Sequence, residues 1–209
     1  LRRSAAVHRE EIAPAVWDLV QRTLEDEEKR RVDLLRLLGR IAPPPILEGL
    51  IAHLGEGTDA ERNERIRALA HGSIEVTAAL VDALLEKDIS AQAQLDAIKT
   101  LEVIARRHGT ETFDEESTDE VLLITRTITA RRPLLRLIHI LGDTRPRGSE
   151  ALLAREMLLA SRDTHVRRAA AQALSTYEGE ISGSALRQGL NDPSPDVRIA
   201  AINALMERP

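Results

Sequence analysis

Asp163-Thr164-His165-Val166-Arg167-Arg168-Ala169-Ala170-Ala171-Gln172-Ala173-Leu174 has a second version further along this chain. It is Ser194-Pro195-Asp196-Val197-Arg198-Ile199-Ala200-Ala201-Ile202-Asn203-Ala204-Leu205, displaced by 31 residues from Asp163 to Ser194. Each version opens on a side chain able to accept from the free N–H groups of a first helical turn. Pro195 follows at a position where a first-turn proline is tolerated. Val, Ala, Ala and Leu then recur at helical spacing, and the alanines let the helix approach a neighbour closely. The closing residue continues upstream as Leu38, Leu69, Ile104, Leu141, Leu174 and Leu205, at intervals of 31, 35, 37, 33 and 31 residues. Between successive members lies a second amphipathic segment: Ile46–Leu54, Ile74–Lys87, Thr118–Ala130, Glu150–Ala160 and Gly183–Leu190. Two helices per unit at such a period define an α-solenoid, in which each unit buries its apolar face against the next. The expected fold class is all-α, a right-handed α-α superhelix of about five to six helix pairs. Gly39, Gly109 and Gly142 read as glycines that close helices, and Gly109 to Ser117 reads as a long loop. Pro43-Pro44-Pro45 reads as a break and restart, and Glu25 to Lys29 as a turn that brings acids to a helix start. Residues 1–209 are expected to form one repeat domain. The chain opens on Leu1, and we expect a piece of a larger protein.

The pattern (Asp/Ser)-x-x-Val-Arg-x-Ala-Ala-x-x-Ala-Leu, present twice between Asp163 and Leu205, resembles HEAT-like repeats of the short bacterial type named after phycobilisome lyase subunits. Asn191-Asp192-Pro193 resembles the inter-helix turn of that family. Upstream of residue 160 the spacing persists while Val-Arg and most of the alanines are lost. The resemblance implies that Arg167 and Arg198 help form a polar ladder between repeats, with Asp192 or Asp163 as partners for Arg198. A chromophore-lyase-like role is suggested by the family name alone, and no residues stand out to carry it.

Composition narrows the chemistry. The 209 residues carry a net charge of −5, no Cys, and one each of Trp, Tyr and Phe, so the core must be built from Leu, Ile, Val and Ala. Without Cys there is no disulfide framework, no Cys-ligated zinc and no thiol catalysis. The longest stretch free of Asp, Glu, Lys and Arg runs from Ala169 to Tyr177, far short of the ~20 residues that span a bilayer. No His-Glu-x-x-His, no Gly-x-Ser-x-Gly and no phosphate-cradling glycine loop occurs. The deoxyhypusine hydroxylases, a HEAT-like metalloenzyme family, use repeated His-Glu pairs, and no His here is followed by Glu. No carboxylate stands alone in an apolar setting as a general acid of raised pKa requires. The expectation is therefore a cytoplasmic protein that is not an enzyme and holds no metal or cofactor.

What remains is surface. A solenoid offers a long concave face to a partner, and a protein scaffold or docking domain is the leading expectation. By helical phase, Val76, Leu80 and Leu84 pack while Glu75, Asp82 and Glu86 face outward. In the same way Leu153, Met157 and Ala160 pack while Arg155 and Glu156 face outward. Phe113, flanked by six acids between Glu111 and Glu120, is a candidate partner anchor. The alternative is nucleic acid. From Arg131 to Arg168 the chain holds nine Arg and four acids, a basic stripe of the kind that neutralises phosphates. Arg131, Arg132, Arg136, Arg145, Arg147, Arg162 and Arg168 are its candidate contacts.

Overall fold

Leu38, Leu69, Ile104, Leu141 and Leu174 are all wholly buried, at 0% exposure, so the repeat interval read from the sequence is the spacing of core-facing positions. Leu205, the last of the series, is half-buried. The computed structural model describes residues 2–23, 27–41, 44–71 and 74–208, and their side chains outside 2–11, 44–45 and 74–75. Leu24, Pro43, and Glu25 and Asp26 of the expected Glu25–Lys29 turn lie outside the described residues, while Glu28 and Lys29 already belong to a helix. Among those described, the fold is all-α, with a solenoid-like alternation of helices and no strand. Two compact units divide the chain, residues 1–104 and residues 105–209.

The first unit contains α1 (Arg2–Arg22), α2 (Glu28–Ile41), α3 (Pro44–Ala52), α4 (Asp59–Ala70) and α5 (Ile74–Leu85). It also takes in most of α6 (Ala91–His108), within which the division falls. Helix α2 packs on α4 and on α1, and α3 packs on α5 and α4. Val76, Leu80 and Leu84 of α5 are buried, as their phase requires. Helix α4 begins with a full capping box: the Glu61 backbone N–H donates to the Thr58 hydroxyl at 3.4 Å, and Glu61 Oε2 accepts from the Thr58 N–H at 2.9 Å.

The second unit contains α7 (Glu115–Thr127), α8 (Arg131–Thr144), α9 (Ser149–Leu152), α10 (Thr164–Ala173), α11 (Glu180–Gly189) and α12 (Pro195–Glu207). Helices α8, α10 and α12 form one packed row, and α11 packs on α12. The segment expected as a plain helix over Glu150–Ala160 is instead α9 followed by a π-helical stretch, Leu153–Leu158. The wider turn keeps Leu152, Leu153, Ala154, Met157 and Leu158 buried and leaves Ala160 exposed.

Two of the three glycines read as helix closers do something else. Gly39 lies inside α2 and Gly142 inside α8. A Cβ on Gly39 would sit 2.9 Å from the Ala68 Cα, and one on Gly142 would sit 3.0 Å from the Ala173 Cβ. Both are contact points between successive first helices, where the backbones approach too closely for a side chain. Gly109, with φ of +55°, ends α6 as expected.

Tyr177 ties neighbouring repeats of the second unit together. Its hydroxyl donates to the Leu141 carbonyl at 2.6 Å and lies 2.7 Å from the Ser149 hydroxyl. Burial pushes the phenol up to about 12. A tyrosine in an unfolded chain ionises near pH 10. Between these values the unfolded chain loses a proton that the folded one keeps, so stability falls as pH rises through that window, by at most about 1.4 kcal/mol per pH unit. Because Tyr177 is the single tyrosine, near-ultraviolet absorbance reads it directly. Its ionisation is expected to be delayed until the second unit unfolds. A folded protein whose tyrosine titrates near pH 10 would contradict the buried hydroxyl.

Candidate functional site

The loop expected over Gly109–Ser117 is short and built. Gly109–Glu111 forms one 3-10 turn, and the Thr112 hydroxyl donates back to the Gly109 carbonyl at 2.7 Å. Asp114 then caps α7, its Oδ1 accepting from the Ser117 N–H at 2.9 Å. That bond holds the Asp114 carboxyl below the usual carboxylate range. The N-cap signal is what shortens the loop: Asp114 with Glu115 and Glu116 in the first turn satisfies free N–H groups and the positive helix end.

Phe113 is left half-buried at the edge of a groove of about 770 Å³. Leu122 supplies further apolar surface, Glu115 and Asp119 come from α7, and Arg145 and Arg147 come from the α8–α9 connection. Two features read separately from the sequence, the acidic segment and part of the arginine run, thus line one groove. Arg145 closes α8 with a φ of +50°, a left-handed conformation uncommon for a side-chain-bearing residue. Its Nη1 donates to the Thr176 carbonyl at 3.3 Å. Arg126, also on the groove, pairs with Glu156 at 3.1 Å. Glu115, Asp119 and Arg147 are exposed and unbonded.

The remaining arginines are spread over several elements. Arg131 and Arg132 start α8, while Arg145 and Arg147 follow its end. A 14-residue helix separates the two pairs by about 20 Å. Arg131 lies 3.8 Å from Asp163. Arg132, Arg155, Arg162 and Arg168 are exposed, and Arg136 is half-buried. Arg167 belongs to the stack: Nε and Nη2 donate to the two Asp192 oxygens at 2.7 and 3.1 Å, and Nη1 donates to the Ser161 and Arg162 carbonyls. This fork holds the Asp192 carboxyl below the usual carboxylate range. Arg198 meets Asp192 through its backbone, donating to the Asp192 and Pro193 carbonyls at 2.8 and 3.1 Å. Asp163 caps α10, accepting from the His165 N–H at 2.8 Å.

In the first unit, Asp82 is exposed on α5, Glu86 is exposed just past the end of that helix, and the Glu75 side chain lies outside the described residues. Sequence reasoning missed a different group there. Glu61, Glu64, Arg65 and Asp96 are buried, at 2%, 6%, 7% and 1% exposure. Each carboxylate has a cationic partner: Arg31 to Glu61 at 2.6 Å, Arg36 and Arg67 to Glu64 at 3.0 and 2.8 Å, and Arg62 to Asp96 at 3.4 Å. The readable signal was Thr58-x-x-Glu61, which fixes the phase of α4 and so places Glu61, Arg65 and Ala68 on one helical face.

The model of HEAT repeats matches residues 132–206, a stretch that lies within the second unit. No curated protein sequence matches the chain. Among solved structures, human deoxyhypusine hydroxylase in complex with glycerol superposes with a TM-score of 0.52 at 17% identity, covering 95% of this chain and 74% of that one. An engineered protein superposes equally well, with a TM-score of 0.52 at 20% identity, covering 93% of this chain and 57% of its own length. At these identities the likeness shows the fold alone. It nonetheless corrects the expectation that the chain is not an enzyme. A helical-repeat scaffold of this kind carries a hydroxylase, so the architecture gives no ground for excluding catalysis, and by itself it does not show an activity. Among the described residues no helix is long and apolar enough to cross a membrane, and no group of three or more His, Cys, Asp or Glu is placed to hold a metal ion.

Proposed function

We propose that the second unit binds a protein partner, taking an extended segment into the groove beside Phe113. The observation that carries this reading is the lining of that groove: a half-buried aromatic with Leu122, unbonded acids on α7, and Arg147 on the α8–α9 connection. An apolar anchor flanked by charges of both signs favours a segment whose own charges run in the opposite order. HEAT repeats generally mediate contacts between proteins, and the matched residues 132–206 supply the Arg145–Gly148 side of this groove.

The test is capture from the native host's lysate with the tagged chain and with the charge-reversed pair Asp119→Lys, Arg147→Glu. Both positions are exposed, so the pair is expected to leave melting within about 0.5 kcal/mol of the parent. The parent should retain a discrete protein through a high-salt wash, and the variant should lose it. Nucleic acid held at low salt and released steeply as salt rises would replace this reading with phosphate binding by the exposed arginines, among them Arg132, Arg162 and Arg168.

A further inference from the structure

The first unit holds a cavity of about 450 Å³ whose lining joins apolar Trp17, Val20 and Leu35 to charged Arg31, Glu56, Glu61 and Arg65. Its size falls within the range of small-molecule sites. Two observations show that it is built. The Trp17 indole lies against the backbone of α3 at Gly49, where a Cβ would come within 3.1 Å of the ring. Its other neighbour is His53, packed edge-on with ring centres 5.5 Å apart. The His53 Nδ1 in turn donates to the Gly49 carbonyl at 2.8 Å. The aromatic wall is therefore held in place from two sides.

The charged wall is incomplete. Glu61 is fully engaged, with Oε1 accepting from Arg31 Nε at 2.6 Å and Oε2 from the Thr58 N–H at 2.9 Å. Arg65 is 7% exposed and makes one hydrogen bond, from Nη1 to the Glu56 carbonyl at 2.9 Å. Its Nε is buried without a partner. A guanidinium carries five N–H donors in a fixed fork matched to a carboxylate. A desolvated cation with unmet donors is costly to the fold, and burial already pulls Arg65 below the usual arginine range. An anionic acceptor entering the cavity would meet Arg65 on its lining, where the acids are Glu61, already engaged by Arg31, and the exposed Glu56.

We propose that this cavity binds a small organic monocarboxylate, its carboxylate on Arg65 and its apolar body against Trp17 and Leu35. The site lies in the first unit and is independent of the groove at Phe113.

Trp17 is the single tryptophan of the chain, so its emission reports the cavity directly. The whole chain is titrated with cyclohexanecarboxylate, and in parallel with cyclohexylmethanol and cyclohexylmethylamine, which share the ring and lack the anion. The acid is expected to shift Trp17 emission saturably in the micromolar-to-millimolar range, with the alcohol and amine at least about tenfold weaker. Arg65→Met keeps the apolar stem and removes the donors. Calorimetry on that variant should show at least about a tenfold loss, provided thermal melting shows it folded. Equal binding of acid and alcohol would overturn the proposal on the parent protein alone, whatever the variant does. So would the absence of a saturable shift at millimolar acid, or unchanged affinity in a folded Arg65→Met. A further arm compares N-acetylglycylleucine with its amide. If the peptide acid binds at least about tenfold tighter than cyclohexanecarboxylate and the amide is silent, the ligand is a chain terminus and the small-molecule assignment falls.

Discussion

Glu61→Ala is expected to lower the stability of the first unit by about 3 kcal/mol. The carboxylate is 2% exposed and does two jobs at once. It accepts from Arg31 Nε at 2.6 Å, across the contact between α2 and α4, and it completes the capping box by accepting from the Thr58 N–H at 2.9 Å. Truncation leaves the Arg31 side chain, itself only 19% exposed, without its counterion. Breaking a buried pair from one side costs about 3–5 kcal/mol because the remaining charge stays desolvated. Arg31 can relax partly towards water, which places the expectation at the lower end. Loss of the cap removes up to about 1 kcal/mol more of α4. Glu61→Gln separates the two contributions: an amide oxygen still accepts from Thr58, so the variant should lose the ion pair and keep most of the cap. Urea denaturation read through Trp17 emission measures both in the unit where they act. A loss below about 1 kcal/mol for Glu61→Ala would show that Arg31 is not held by this contact.

That Glu61 had to be found in the structure follows from how α4 is written. Sequence patterning assigns charged residues to the solvent face, and Asp59-Ala60-Glu61-Arg62-Asn63-Glu64-Arg65 reads as solvated all round. The helix is nonetheless central: Ile66, Ala68, Leu69 and Ala70 are buried beside Glu61, Glu64 and Arg65. Its charges are neutralised by residues about one repeat away in sequence, such as Arg31 and Arg36 for Glu61 and Glu64, and no local pattern announces a partner at that distance. The second unit is more legible because its last two repeats share the Val-Arg-x-Ala-Ala-x-x-Ala-Leu motif. Val166 and Val197 are buried at equivalent places, as are Ala170 and Ala201. There the motif points to Asp192 as a partner of Arg198, but Arg167 takes the Asp192 carboxylate and Arg198 reaches its backbone carbonyl instead. The groove at Phe113 was half legible. Its acidic and basic halves were both visible in the sequence, and their meeting depends on Asp114 ending the turn early enough to bring α7 beside the α8–α9 connection. The π-helical stretch at Leu153–Leu158 was not legible: regular helical phase packs Ala160 with Leu153 and Met157, whereas the structure buries Leu153, Ala154, Met157 and Leu158 and leaves Ala160 exposed.

Gly142→Val is expected to cost about 2–3 kcal/mol in the second unit, although valine is a better helix former than glycine by about 0.5 kcal/mol. Gly142 lies in α8, and its missing Cβ is the reason α10 can approach: an added Cβ would sit 3.0 Å from the Ala173 Cβ and 3.1 Å from its Cα. One of these atoms is backbone, so the strain cannot be relieved by turning a side chain. The two methyls of valine then require α8 and α10 to separate. That separation would disturb Leu137, Ile138, Leu141, Ala170 and Leu174, all wholly buried, and would pull Leu141 from the Tyr177 hydroxyl that donates to its carbonyl at 2.6 Å. Gly142→Ala is the informative companion. Its single methyl meets the same 3.0 Å contact, but its helix propensity offsets about 1 kcal/mol, so a net change within about 1 kcal/mol is expected. Thermal melting distinguishes the pair, with valine lowering Tm by about 10 °C and alanine by a few degrees at most. If valine were tolerated as well as alanine, the helices would be free to slide apart. The repeat spacing would then be fixed by its leucines alone, without the Gly–Ala contact that α2 and α4 also make at Gly39 and Ala68.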